Sequence, residues 1–125
     1  MYARRAATAY REVDLETAPK TQIVERLFER FARDVTDAKA ACLKRDIKGK
    51  AAAIDHALRI VTELRSALDH NAAPELCAHL SALYGFVAER LSEANLKLAA
   101  GPLDAATKVM TTLGDAFRKA HQEMK

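Results

Sequence analysis

Residues 103–124 read LDAATKVMTTLGDAFRKAHQEM, in which Leu103, Ala106, Met110, Leu113, Phe117, Ala120 and Met124 follow one another in alternating steps of three and four. That spacing returns a side chain to the same side of an α-helix at every turn, so the stretch predicts an amphipathic helix with a heptad-like seam. Such a helix holds in water chiefly by covering its apolar side with other elements. The stretches before it supply three candidates.

Gly101-Pro102 separates this helix from a stripe of Leu76, Leu80, Leu83, Val87, Leu91, Ala94 and Leu98. Pro74 suits the first position of that helix, where its missing N–H has no intrahelical acceptor to lose. A second stripe, Ile54, Leu58, Val61, Leu64 and Leu68, follows Asp46, a good N-cap because its carboxylate can accept from the free amides of a first turn. The earliest stripe runs Ile23, Leu27, Phe31, Val35, Ala38 and Cys42, widened by Val24, Phe28 and Leu43, with Glu25, Arg26, Glu29, Arg30, Arg33 and Asp37 opposite. Four helices joined by short connections alternate in direction and pack at about +20°. The expected fold is therefore all-α, an antiparallel up-and-down four-helix bundle over residues 19–125. Tyr2, Tyr10, Val13 and Leu15 form no stripe, so residues 1–18 are expected to be an N-terminal arm.

Composition narrows the function. A chain of 125 residues with 50% apolar and 30% charged residues can bury one core without disulfides or metal. The net charge of +3 is accounted for by Arg4, Arg5 and Arg11 in the opening segment, leaving a balanced body. Nucleic-acid binders gather cations on one face, so that class is disfavoured. The Arg pair near the start is followed by no apolar run, and no stretch reaches the roughly 18 apolar residues of a membrane span, so neither a secretory signal nor membrane insertion is expected. Cys42 and Cys77 lie in helical patterns with no paired spacing, which suits reduced thiols packed as small apolar groups and a cytoplasmic location.

The residues for bond-making chemistry do not assemble. No Glu-x-x-His motif for a di-iron bundle occurs, and Glu75, Cys77 and His79 do not share a helix face. His56, His70 and His121 have no acid at helical spacing beyond adjacent Asp55 and Asp69, and read as surface histidines. Gly49-Lys50 lacks the glycine and hydroxyl residue of a phosphate loop. Lys44, Arg45, Lys48 and Lys50 surround the end of the first helix, where cations complement the helix dipole. The expectation is a protein that is no enzyme and carries no cofactor or metal, and that works by binding another chain through apolar surface and helix grooves.

Several segments in order carry a resemblance. Tyr10, Glu16-Thr17-Ala18-Pro19, Ala57-Leu58-Arg59-Ile60-Val61, Glu63-Leu64-Arg65, Leu68-Asp69, Leu83-Tyr84 and Glu93-Ala94-Asn95-Leu96 resemble the flagellar export chaperone family FliS from Met1 to about Ala120. The resemblance implies a cytoplasmic four-helix bundle with an N-terminal strap. It implies as partners the C-terminal segment of flagellin, which the chaperone keeps from premature polymerisation, and the flagellar export gate. Departures are visible. The family's Ser-Pro before helix one is Ala18-Pro19, its Tyr-Asp-Gly within helix one is Phe28-Glu29-Arg30, its Tyr-Asp-Tyr of helix three is Tyr84-Gly85-Phe86, and its late Trp is Phe117.

The candidate partner-binding residues are Tyr2, Tyr10, Val13, Tyr84, Phe86, Asn95 and Leu96. Tyr84 lies one step off the stripe of the third helix and is either groove lining or core. Phe86 and Leu96 fall off the core stripe and call for a cover, either the arm or a client. Asn95, placed on an inner edge, holds either an arm or client backbone or a structural hydrogen bond. Tyr2, Tyr10 and Val13 are expected to pack the arm onto a groove. Two other classes stay open: a helical adaptor without preference for flagellin, and a metal or small-ligand bundle.

Overall fold

Each of the elements in the computed structural model, which describes residues 18–97 and 99–123, is a helix. They are α1, Ala18–Lys44; α2, Ile47–Ser66; α3, Pro74–Lys97; and α4, Gly101–Glu123. The expected arm with Tyr2, Tyr10, Val13 and Leu15, the stripe positions Leu98 and Met124, and the side chain of His121 lie outside the described residues.

Each boundary has a local cause. α1 ends where Arg45 adopts φ 56°, a left-handed conformation. The Arg45 and Asp46 amides then donate back to Cys42 O at 3.2 Å and Ala41 O at 2.8 Å. That pair of bonds satisfies carbonyls left open by the end of a helix. Asp46 caps α2 as the sequence predicts, accepting from the Gly49 amide at 2.9 Å. The α2–α3 connection is an Asx turn in which Asp69 Oδ1 accepts from the amides of Asn71 and Ala72, and Pro74 opens α3.

Cross-helix contacts give the direction of packing. Arg65 reaches Ser81 and Lys50 reaches Asn95, so the numbers rise on α3 as they fall on α2. Phe28 meets Phe117 while Lys39 meets Asp104, the same antiparallel relation between α1 and α4. Packing neighbours follow a ring in which α1 touches α2 and α4, and α3 touches the same two. The core holds Phe31 and Val35 from α1, Ile54 and Leu64 from α2, Tyr84 and Leu91 from α3, and Leu103 and Phe117 from α4. This is the expected antiparallel four-helix bundle.

Three positions differ from the periodic reading. Ile23 is 54% and Leu43 86% exposed. Each is one residue beyond the stripe at an end of α1, and one residue turns a side chain by about 100°. Leu68 is buried, but on the connection after α2 rather than on the helix. Among the described residues no helix is long and apolar enough to cross a membrane.

Candidate functional site

A cleft of about 180 Å³ opens between the N-terminal half of α1 and the middle of α4. Phe28, Phe31, Met110 and Gly114 are among the residues lining it. Gly114 matters through what it omits: a Cβ built there would stand 3.3 Å from Phe28 Cγ. Its bare backbone therefore seats the Phe28 ring, which leans on Phe117 with centroids 6.2 Å apart. Glu25, Glu29 and the ion-paired Asp115 and Arg118 also border the cleft, giving apolar side chains a polar edge. A concave apolar strip with charged borders between two helices suits the apolar face of an incoming peptide.

A second surface lies on the outer side of α3. Phe86 is 40% exposed, and the Arg90 guanidinium stands 5.5 Å from its ring centroid, within cation–π range. Arg90 also pairs with Glu93 at 2.7 Å, and its Nε is buried without a hydrogen-bond acceptor among the described residues. Leu96, at 87% exposure, leaves a large aliphatic side chain in water.

The other α3 candidates occupy different environments. Tyr84 is wholly enclosed, so of its two readings the core describes its position. The Asn95 side chain is exposed rather than turned to an inner edge. The inward contact at Asn95 comes from its carbonyl, which accepts from Lys50 Nζ at 2.6 Å. Lys50 is itself buried, its stem in the bundle and its ammonium at the last turn of α3.

Periodicity also missed a polar cluster. His56 Nδ1 meets Asp34 Oδ2 at 2.5 Å across α1 and α2, and its Nε2 lies 3.0 Å from the Arg30 guanidinium. A guanidinium only donates, so Nε2 accepts and Nδ1–H donates to Asp34. His56 is at the surface as expected, its side chain 38% exposed, but it bridges two helices, a partner that spacing along one helix does not show. Arg30, where the family resemblance calls for glycine, reaches this histidine. At Gly85 the absent side chain leaves room for the Arg65 guanidinium, 3.5 Å from where a Cβ would stand.

Cys77 is buried and Cys42 half-buried, and neither is in a disulfide. Cys77 Sγ donates to Asp69 O at 3.2 Å. Burial, then the charge of Asp69, raises the Cys77 thiol above its ordinary 9.0, against a smaller lowering by that hydrogen bond. Among the described residues no group of three His, Cys, Asp or Glu side chains could hold a metal ion.

Residues 2–124 match the family model described as flagellar protein FliS. The chain is similar to the flagellar secretion chaperone FliS of Escherichia coli strain K12, with 27% identity over 125 residues, 96% of this chain and 92% of that protein. It is 26% identical over 124 residues to the flagellar secretion chaperone FliS of Salmonella typhimurium strain LT2, covering 95% of this chain and 92% of that protein. Against the flagellar secretion chaperone FliS of Bacillus subtilis strain 168, identity is 29% over 115 residues, 92% of this chain and 85% of that protein.

Proposed function

The chain belongs to the FliS family of flagellar secretion chaperones, a family that is not enzymatic, and from that premise we propose that it holds the C-terminal segment of flagellin in the cytoplasm before export. The match to that family over residues 2–124 is the observation that carries the reading. Flagellin's terminal segment, disordered as a monomer, would expose apolar side chains that associate prematurely. The chaperone covers them. The α1–α4 cleft offers an apolar floor at Phe28 and Met110, and α3 offers exposed Phe86 along its length and Asn95 and Leu96 in its last turn as further contacts. Tyr2, Tyr10 and Val13 of the arm cover a groove while the client is absent and compete with it for shared surface. The client then passes to the flagellar export gate.

Calorimetry with purified flagellin tests this. A one-to-one complex with a large negative heat-capacity change is expected, since binding couples folding to apolar burial. Deleting flagellin's C-terminal segment should abolish it, and equal binding to the truncated protein would overturn the assignment. Deleting residues 1–15 of the chaperone should strengthen client binding by removing a competitor, because apparent affinity falls with the fraction of molecules whose groove is closed. Weaker binding after that deletion would mean that the arm clasps the client instead.

A further inference from the structure

One end of the bundle combines exposed apolar side chains with cations. The Lys39–Asp104 pair at 2.5 Å and the Lys50–Asn95 hydrogen bond gather the end of α1, the start of α2, the end of α3 and the start of α4 there. Leu43 and Ile47, 86% and 66% exposed, flank the α1–α2 turn, and Leu96 stands next to Asn95. Of the five large hydrophobic residues exposed among the described residues, three are at this end. Lys44, Arg45 and Lys48 are exposed between and beside them, while the one acid of the turn, Asp46, has a carboxylate oxygen on the Gly49 amide. Arg45 occupies φ 56°, where glycine fits with less strain, so the turn sets a cation at a disfavoured backbone position.

We propose that this tip is a second docking surface, distinct from the client-binding cleft, for an acidic protein surface with apolar side chains at its centre. Charge complementarity names the occupant: three cations around two aliphatic side chains call for carboxylates around an apolar patch. A second copy docked by two-fold symmetry would set the same cations against each other. Lipid is disfavoured because among the described residues no aromatic ring stands beside Leu43 and Ile47, and aromatic residues are what typically seat a protein at a bilayer interface. Phe28 and Leu43 are separated by about 22 Å along α1 at 1.5 Å per residue, so the cleft and the patch of Leu43 and Ile47 can be occupied together, with neighbouring Leu96 left to the client. A chaperone that keeps its client while meeting the next protein in the export route needs such an arrangement.

The test titrates a designed helical peptide, glutamate on one face and leucine on the other, into isotope-labelled full-length protein followed by NMR. Amide shifts should centre on residues 43–48, and binding should weaken about tenfold between about 0.05 M and about 0.5 M salt. Lys44→Glu, Arg45→Glu and Lys48→Glu together should abolish it with the helical circular-dichroism signal retained. Leu43→Ser with Ile47→Ser should weaken it about tenfold, the loss of two buried aliphatic contacts, without altering the salt dependence. The charge-reversed variant should still bind flagellin's C-terminal segment. Shifts centred on the α1–α4 cleft, undiminished binding by the charge-reversed variant, or loss of flagellin binding by that variant would overturn the proposal. So would binding to phosphatidylserine vesicles with none to the peptide.

Discussion

The ammonium of Lys50, on a residue only 4% exposed at the start of α2, donates to the main-chain carbonyl of Asn95 in the last turn of α3 at 2.6 Å. Carbonyls in that turn have no intrahelical amide to accept from, and a cation there also meets the negative end of the helix dipole. One side chain therefore ties two helix ends together. Lys50→Met keeps the stem and removes the donor, leaving the carbonyl short of a partner. A loss of about 1–3 kcal/mol is expected, as for a hydrogen bond to a charged group. Urea unfolding should show a lower midpoint at unchanged slope.

Arg45→Gly relieves the left-handed residue at the end of α1. The gain should be about 1 kcal/mol, the scale of the penalty an L-residue meets in that region, and would appear as a higher melting temperature. The same substitution removes a cation from the bundle tip, so it should weaken binding of the acidic peptide while stabilising the protein. Opposite movement of the two measurements separates backbone relief from surface charge.

Gly85→Ala should stabilise α3. A Cβ there would meet the Arg65 guanidinium at 3.5 Å, an ordinary contact, so the helix gains its usual 0.5–1 kcal/mol, roughly, from losing a mid-helix glycine. Gly85→Asp places a carboxylate beside that guanidinium. It should add a gain over Gly85→Ala that disappears at high salt, as expected of an exposed ion pair. Thermal melts at two salt concentrations read both effects.

Cys77 makes stability depend on alkaline pH. Its thiol is raised in the folded protein by burial and by Asp69, so the folded state holds the proton after the unfolded chain has released it. The contribution is fully present below the ordinary thiol value of 9.0 and fades as pH rises from there through the folded value. Cys77→Ala should remove that alkaline decline and, through the cavity, lower stability at neutral pH by about 1–3 kcal/mol. Neither wild-type nor variant melting should respond to reductant. Thiol-reactive dye should label half-buried Cys42 well before Cys77.

Helix existence and order were legible in the sequence because both are local. Steps of three and four from Leu103 to Ala120 specify a helix face without reference to any other helix, and Asp46 and Pro74 mark helix starts by bonding needs met within a few residues. Local reading also found Phe86 and Leu96 off the core. Pairing across helices was not legible, since it depends on how two helices slide and rotate against each other. Only the tertiary structure decided that His56 bridges Asp34 and Arg30, that Lys50 is buried against Asn95, and that Gly114 seats Phe28 beside a cleft. It also decided that Leu43, Ile47 and Leu96, from three helices, share one end of the bundle. Spacing along one chain carries the angle of a side chain about its own helix axis, whereas its neighbours are set by interhelical register, which packing of the whole core determines.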